Sequence, residues 1–230
     1  MEQHLGVGGF AASRGGIVAH GVDVDIAPTI LHRNRLTCAF RAILVLPHVI
    51  LVGGPVGLTL SSTWWTGPHL SSVWGVTTGV LGGVAAVCAI IAWFAIVFGG
   101  AYPAGLRDLS IFYLRWRLRA VAYAALLRDE YPPFGDGAYP ASLTLSTPVG
   151  ERNRLTVALR LLLAIPHVIA VWALSLVWCF TTVIAWLSIL LAGEYPPALY
   201  RFAVGVVRWS IRVEAYLLLL DDAYPPFSLD

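Results

Sequence analysis

RNRLTCAFRAILVLPHVI, from Arg33 to Ile50, returns as RNRLTVALRLLLAIPHVI from Arg152 to Ile169, an offset of 119 residues. Further along, RWRLRAVAYAALLRDEYPPF (Arg115 to Phe134) returns as RWSIRVEAYLLLLDDAYPPF (Arg208 to Phe227), now at an offset of 93. The chain is therefore a tandem duplication. Its first copy carries 26 more residues in the middle, the difference of the two offsets. Ahead of each copy stands a short alternating stretch, Val22 to Ile26 and Ala141 to Leu145, again 119 apart. Alternation of this kind marks half-exposed strands. Their equivalence under the repeat suggests that they pair with each other across a pseudo-twofold axis. The division that follows is a flexible tail (1–19), repeat 1 (20–134), a linker (135–138) and repeat 2 (139–230).

Composition sets the class. The 230 residues are 58% hydrophobic and only 12% charged, with a mean hydropathy of +0.75. Soluble domains carry roughly 25% charged residues. Long apolar runs, Leu36 to Leu60, Val73 to Phe98 and Leu155 to Ala192, meet the length of about 20 residues that a bilayer-spanning helix needs. The expectation is a mainly α integral membrane protein. A net charge of +2 excludes an electrostatic case for nucleic acid. All 15 basic residues are arginine, whose guanidinium suits phosphate headgroups. Cys38, Cys88 and Cys179 lie in apolar runs without ligand spacing, and read as small apolar residues.

Each repeat then reads as a short strand, a proline-kinked transmembrane hairpin and an amphipathic interfacial helix. Pro47 and Pro166 supply the kinks. In repeat 1, SSTWWTGPHLSS (Ser61 to Ser72) is expected to be the interfacial loop between two spans, with Trp64 and Trp65 at headgroup depth. In repeat 2, Leu155 to Ala192 would measure about 57 Å as one helix, too long for one crossing, so two spans with a minimal turn near Ser175 to Trp178 are expected. An even number of crossings keeps every arginine cluster on one side, with both termini cytoplasmic. Ala104 to Leu127 and Leu199 to Leu220 would lie on the membrane surface, since Arg208 and Arg212 at mid-span would be costly.

The candidate functional residues come in pairs. Arg33, Arg35 and Arg41 match Arg152, Arg154 and Arg160 as a basic collar for anionic lipid headgroups or a partner, joined by Arg119 and Arg212. His48 and His167 follow the prolines; the expected role is structural, each imidazole bonding to backbone where the proline opened a gap. A haem or metal site or a proton relay is the sharper alternative, but no Cys or carboxylate partners stand at ligand spacing. Trp116 and Tyr123, with Trp209 and Tyr216, are expected as interfacial anchors. Asp129 and Asp222, just before the YPPF stops, are expected to pair with an arginine of their own repeat or of the other. No nucleophile–base constellation or phosphate-cradling loop appears, so no enzyme activity and no cofactor is expected.

The order RLT…R…IPH, a Trp-rich segment, then YP…RW…R…AY…YPPF resembles an uncharacterised family of bacterial, chiefly actinobacterial, membrane proteins with tandem repeats ending in YPPF. The resemblance covers roughly residues 20 to 227. It implies a plasma-membrane location and no established activity. The functional expectation is a non-enzymatic accessory or scaffold subunit that contacts membrane lipids and either a membrane-protein partner or a second copy of itself. The alternative is a small transporter or lipid-handling protein with a site at the repeat interface.

Overall fold

The computed structural model describes residues 21–54, 70–146 and 152–230. The tail of residues 1–19 and the loop around Trp64 and Trp65 lie outside the described residues. The two alternating stretches are strands, β1 (Val22–Ile26) and β2 (Ala141–Leu145), and they pair antiparallel. Val24 faces Leu143 in the register, and these are equivalent residues of the two repeats. The pseudo-twofold axis therefore passes between them, perpendicular to the sheet. Valines, Ile26 and Leu143 point inward, while Asp23, Asp25, Ser142 and Thr144 stay exposed. A two-stranded ribbon is marginal alone, and here helices cover its apolar face.

Those helices are α5 (Ala104–Ala124) and α8 (Pro197–Leu217), numbered in chain order. The helix α5 packs on β2, α8 on β1, and the two pack on each other. They are core elements. Tyr113, Leu114 and Leu118 on α5, like Ala203, Val207 and Ile211 on α8, are almost wholly buried. This corrects the surface-helix expectation. The arginines that made a membrane span too costly are paired with other protein groups instead, so neither spanning nor lying on lipid is required of these helices.

A third layer covers the other side. In repeat 2, α6 (Arg154–Ala158) leads into α7 (Arg160–Ala192), one unbroken helix with Pro166 inside it. There is no turn at Ser175 to Trp178. The expected second hairpin is absent, because an apolar helix lying on the protein needs no turn to match a bilayer's thickness. In repeat 1 the corresponding stretch is α1 (Arg35–Ala39), α2 (Arg41–Leu44), α3 (Leu46–Val52) and α4 (Leu70–Gly99), with non-helical backbone at Gly79. Burial shows that these pieces rebuild the same rod. Arg41, Val45, His48 and Val52 are buried where Arg160, Ala164, His167 and Val171 are. Beyond the break, Ala85, Ala92 and Ile96 match Trp178, Ala185 and Ile189. The offset changes from 119 to 93 between Val52 and Val80, so Gly53 and Gly79 both correspond to Trp172, and the rod resumes at the level where it stopped. Gly79, at φ 69°, marks the junction: a Cβ there would collide with the Gly53 nitrogen and lie 2.6 Å from the Leu51 oxygen. Only glycine permits that approach.

Candidate functional site

Each repeat closes on itself through an arginine clasp. In RNRLT, the asparagine caps the first short helix: Asn34 accepts from the backbone of Leu36 and Thr37, and Asn153 from Leu155 and Thr156. This turns the preceding arginine inward. Arg33 grips Asp129 with two hydrogen bonds of 2.9 and 2.7 Å, and donates to the carbonyls of Thr29 and Leu126. Arg41 reaches the same carboxylate at 2.7 Å, donates to the Tyr123 carbonyl, and lies 4.0 Å over the Tyr123 ring. Repeat 2 copies this. Arg152 holds Asp222 bidentately and donates to Leu219, while Arg160 bonds Asp222 at 2.6 Å and covers Tyr216 at 4.3 Å. The choice left open by the sequence falls on arginines of the same repeat.

The clasp satisfies the end of a helix. The last carbonyls of α5 and α8 have no intrahelical donor. Leu126 and Leu219, each just past a helix end, adopt left-handed backbone at φ 62° and 61°. Both present their carbonyls to an arginine. Burial alone would push the Asp129 carboxyl up. The hydrogen bonds from Arg33, from the Asn34 backbone and from Arg41 outweigh it and hold the carboxyl below its ordinary value. Burial is likewise outweighed at Asp222 by Arg152 and Arg160.

The histidines form the second duplicated cluster. His48 and His167 are fully buried. Each accepts at Nδ1 from an indole N–H, Trp116 to His48 at 3.0 Å and Trp209 to His167 at 3.2 Å. Each also stacks on the phenylalanine of the exit motif, Phe134 at 4.5 Å and Phe227 at 4.0 Å between ring centres. A histidine accepting at Nδ1 carries its neutral-state proton on Nε2. Neither His48 Nε2 nor His167 Nε2 has a hydrogen-bond partner among the described residues. The sequence points to a backbone partner for each imidazole; the partner at Nδ1 is instead a tryptophan. Trp116, Tyr123, Trp209 and Tyr216, expected as interfacial anchors, are all buried in these two clusters. Pro-His on the rod, Trp on the core helix and Tyr-Pro-Pro-Phe on the exit are thus one lock, built twice. Among the described residues, no group of three His, Cys, Asp or Glu side chains converges as a metal site.

The basic collar is therefore divided. Arg33, Arg41, Arg152 and Arg160 are spent on aspartates and carbonyls, which corrects their reading as headgroup contacts. Arg119 donates to the Gly135 carbonyl and pairs with Asp136 at 3.6 Å, and Arg212 donates to the Asp230 carbonyl. Arg35 and Arg154 are exposed. Each lies at the far end of the other repeat's rod: Arg35 is 3.3 Å from where a Cβ of Gly193 would be, and Arg154 3.2 Å from that of Gly100. A guanidinium at a helix C-terminus meets its negative dipole end. Two more exchanges reinforce the crossing, Trp93 Nε1 to the Val157 carbonyl and Trp186 Nε1 to the Cys38 carbonyl.

One cluster at the repeat interface breaks the symmetry. Glu214 of α8 accepts from Arg117 and Tyr113 of α5, both at 2.6 Å, and Arg117 also donates to the Val52 carbonyl at 2.7 Å. Val52 is where repeat 1 interrupts its rod, leaving a carbonyl that α7 satisfies within its helix. Sequence reading missed Tyr113 and Glu214 and gave Arg117 no partner. The signal lay in the mismatches of the duplication: Arg117 is equivalent to Ser210, and Glu214 to Val121.

The sequence pattern described as Domain of unknown function (DUF4389) matches residues 70–135 and 154–228, more than half of the chain, and the protein belongs to that family. Each matched stretch carries one long rod helix, one core helix and one exit motif. No curated protein and no solved structure matches the chain.

Proposed function

We propose that this protein is a non-enzymatic membrane protein, an accessory or scaffold subunit that rests in the bilayer on its two rods and holds anionic headgroups at their ends. The carrying observation is the exposed surface of the rods. Residues 79–99 and 160–192 are long and apolar enough to cross a membrane, and only 28% and 22% of their apolar windows is buried in the protein. Leu161, Trp172, Phe180 and Leu191 on α7, with Ile90 and Phe98 on α4, expose about half or more of their surface. A soluble protein rarely carries so extended an apolar surface. Headgroup contact falls to Arg35 and Arg154, the two collar arginines that remain exposed.

Three measurements test the reading. After alkaline carbonate washing, the protein stays with the membrane; recovery in the supernatant refutes it. In mild detergent, a stoichiometric membrane partner co-purifies; a lone monomer refutes the scaffold role. The Arg35→Ala, Arg154→Ala pair should lose retention on anionic vesicles while Arg107→Ala does not.

A further inference from the structure

The membrane reading leaves open how the rods meet the bilayer, and the duplication decides it. The axis runs perpendicular to the sheet, between Val24 and Leu143. Arg154, just before rod 2 begins, touches the end of rod 1 at Gly100, and Arg35, before rod 1, touches the end of rod 2 at Gly193. Twofold symmetry puts the two arginines at one height along the axis and the two glycines at one height. Contact between them makes those heights nearly equal. A helix of 33 residues is about 50 Å long, so its ends reach nearly equal heights only if the rod lies across the axis.

The faces on either side of the rods differ in chemistry. On one side of the molecule the sheet exposes Asp23, Asp25, Ser142 and Thr144 around the axis. On the other lie the rods, with no charged side chain from Leu161 to Gly193 or from Val80 to Gly100. If the rods crossed the bilayer, the axis would lie in its midplane. Asp23 and Asp25 would then face hydrocarbon at its centre, and Arg35 and Arg154 would fall on opposite sides. With the rods flat, the axis stands along the membrane normal, the aspartates face water, and every arginine cluster lies at one surface.

We propose that the protein is monotopic: its two rods lie in the plane of a single leaflet of an anionic bilayer, apolar faces down, with the sheet toward water. Apolar faces of amphipathic helices sink into the boundary between headgroups and acyl chains in this way. Arg35 and Arg154 flank the embedded surface at headgroup level, which suits anionic lipid better than a second apolar protein face.

The inference rests on the membrane reading above, and its test separates the two. Gly105→Cys and Ala198→Cys are equivalent exposed positions in the first turns of α5 and α8. Each is made in the full chain, together with Asp25→Cys on the sheet, and probed with a membrane-impermeant maleimide in vesicles of both orientations. All three, made in a Cys179→Ala background because Cys179 is only half-buried, should label from the same side, and none from the other; the background itself, whose Cys38 and Cys88 are buried, should stay unlabelled. Labelling of Gly105→Cys and Ala198→Cys from opposite sides overturns the in-plane arrangement and leaves membrane residence intact. A fluorophore placed in turn at Leu161, Leu176 and Leu191 gives a second measurement with lipid-borne nitroxide quenchers. Equal depth at all three is expected; a deep Leu176 between two shallow ends overturns the proposal. No quenching at any, with the protein a soluble dimer, removes both readings.

Discussion

The aspartates at the clasp are the residues on which most depends. Asp129 and Asp222 each neutralise two arginines, at least one of them buried. Removing one partner of a buried pair strands charge, at a cost on the order of 3 kcal/mol. Asp222→Ala should therefore lower the thermal unfolding midpoint in detergent sharply, and Asp108→Ala, whose carboxylate is exposed, should not. The pH dependence follows from the direction of the shifts. Both carboxyls are held below their ordinary value in the folded chain, so their stabilisation is complete above the unfolded aspartate range, about pH 4. It is lost as pH falls through the lower folded value. Unfolding followed by circular dichroism should show a steeper acid limb for the parent than for Asp222→Asn. At the second cluster, Trp209→Phe keeps the ring but leaves His167 Nδ1 without a donor. The expected loss is about 1–2 kcal/mol, and the same for Trp116→Phe at His48; equal losses would show that the two locks are energetically as well as geometrically alike.

Among the elements, the interrupted rod is the informative one. Gly79→Ala puts a Cβ into the Leu51–Gly53 backbone at a positive φ, and should cost several kcal/mol or displace α3. Gly83→Ala meets nothing within 4 Å and should be neutral or gain about 0.5–1 kcal/mol. Guanidinium unfolding of the two variants reads the contrast directly. If repeat 1 is repeat 2 with an excursion, residues 54–79 are dispensable to the fold. Their deletion joins Gly53 to Val80 in the register of α7, and the shortened protein should keep its cooperative unfolding. Loss of cooperativity would mean that the excursion holds the two rod pieces in line.

At the scale of the whole molecule, the repeats are joined by the sheet, by the exchanged tryptophans and by one unsymmetrical salt bridge. Glu214→Gln leaves Arg117 buried without its carboxylate, and a loss of about 3 kcal/mol is expected. Replacing both Arg117 and Glu214 by leucine should recover only part of this, because the Val52 carbonyl then lacks its donor; a double-mutant cycle in denaturant measures it. The sequence alone established the duplication, the apolar class, the two strands and their pairing, and the identity of nearly every residue in the two locks, because local pattern and internal repetition are properties of one dimension. It assigned those residues to the wrong surroundings. Arginine, histidine and tryptophan near an apolar run look the same whether they face lipid or each other. The tertiary structure decided that the core helices are buried, that α7 does not turn, and that Arg33, Arg41, Arg152 and Arg160 face aspartates. The physical reason is distance along the chain: Asp129 lies 96 residues from Arg33, and Glu214 97 from Arg117. Whether a charge meets its partner or a headgroup is settled only when each repeat closes on itself and the two fold against one another.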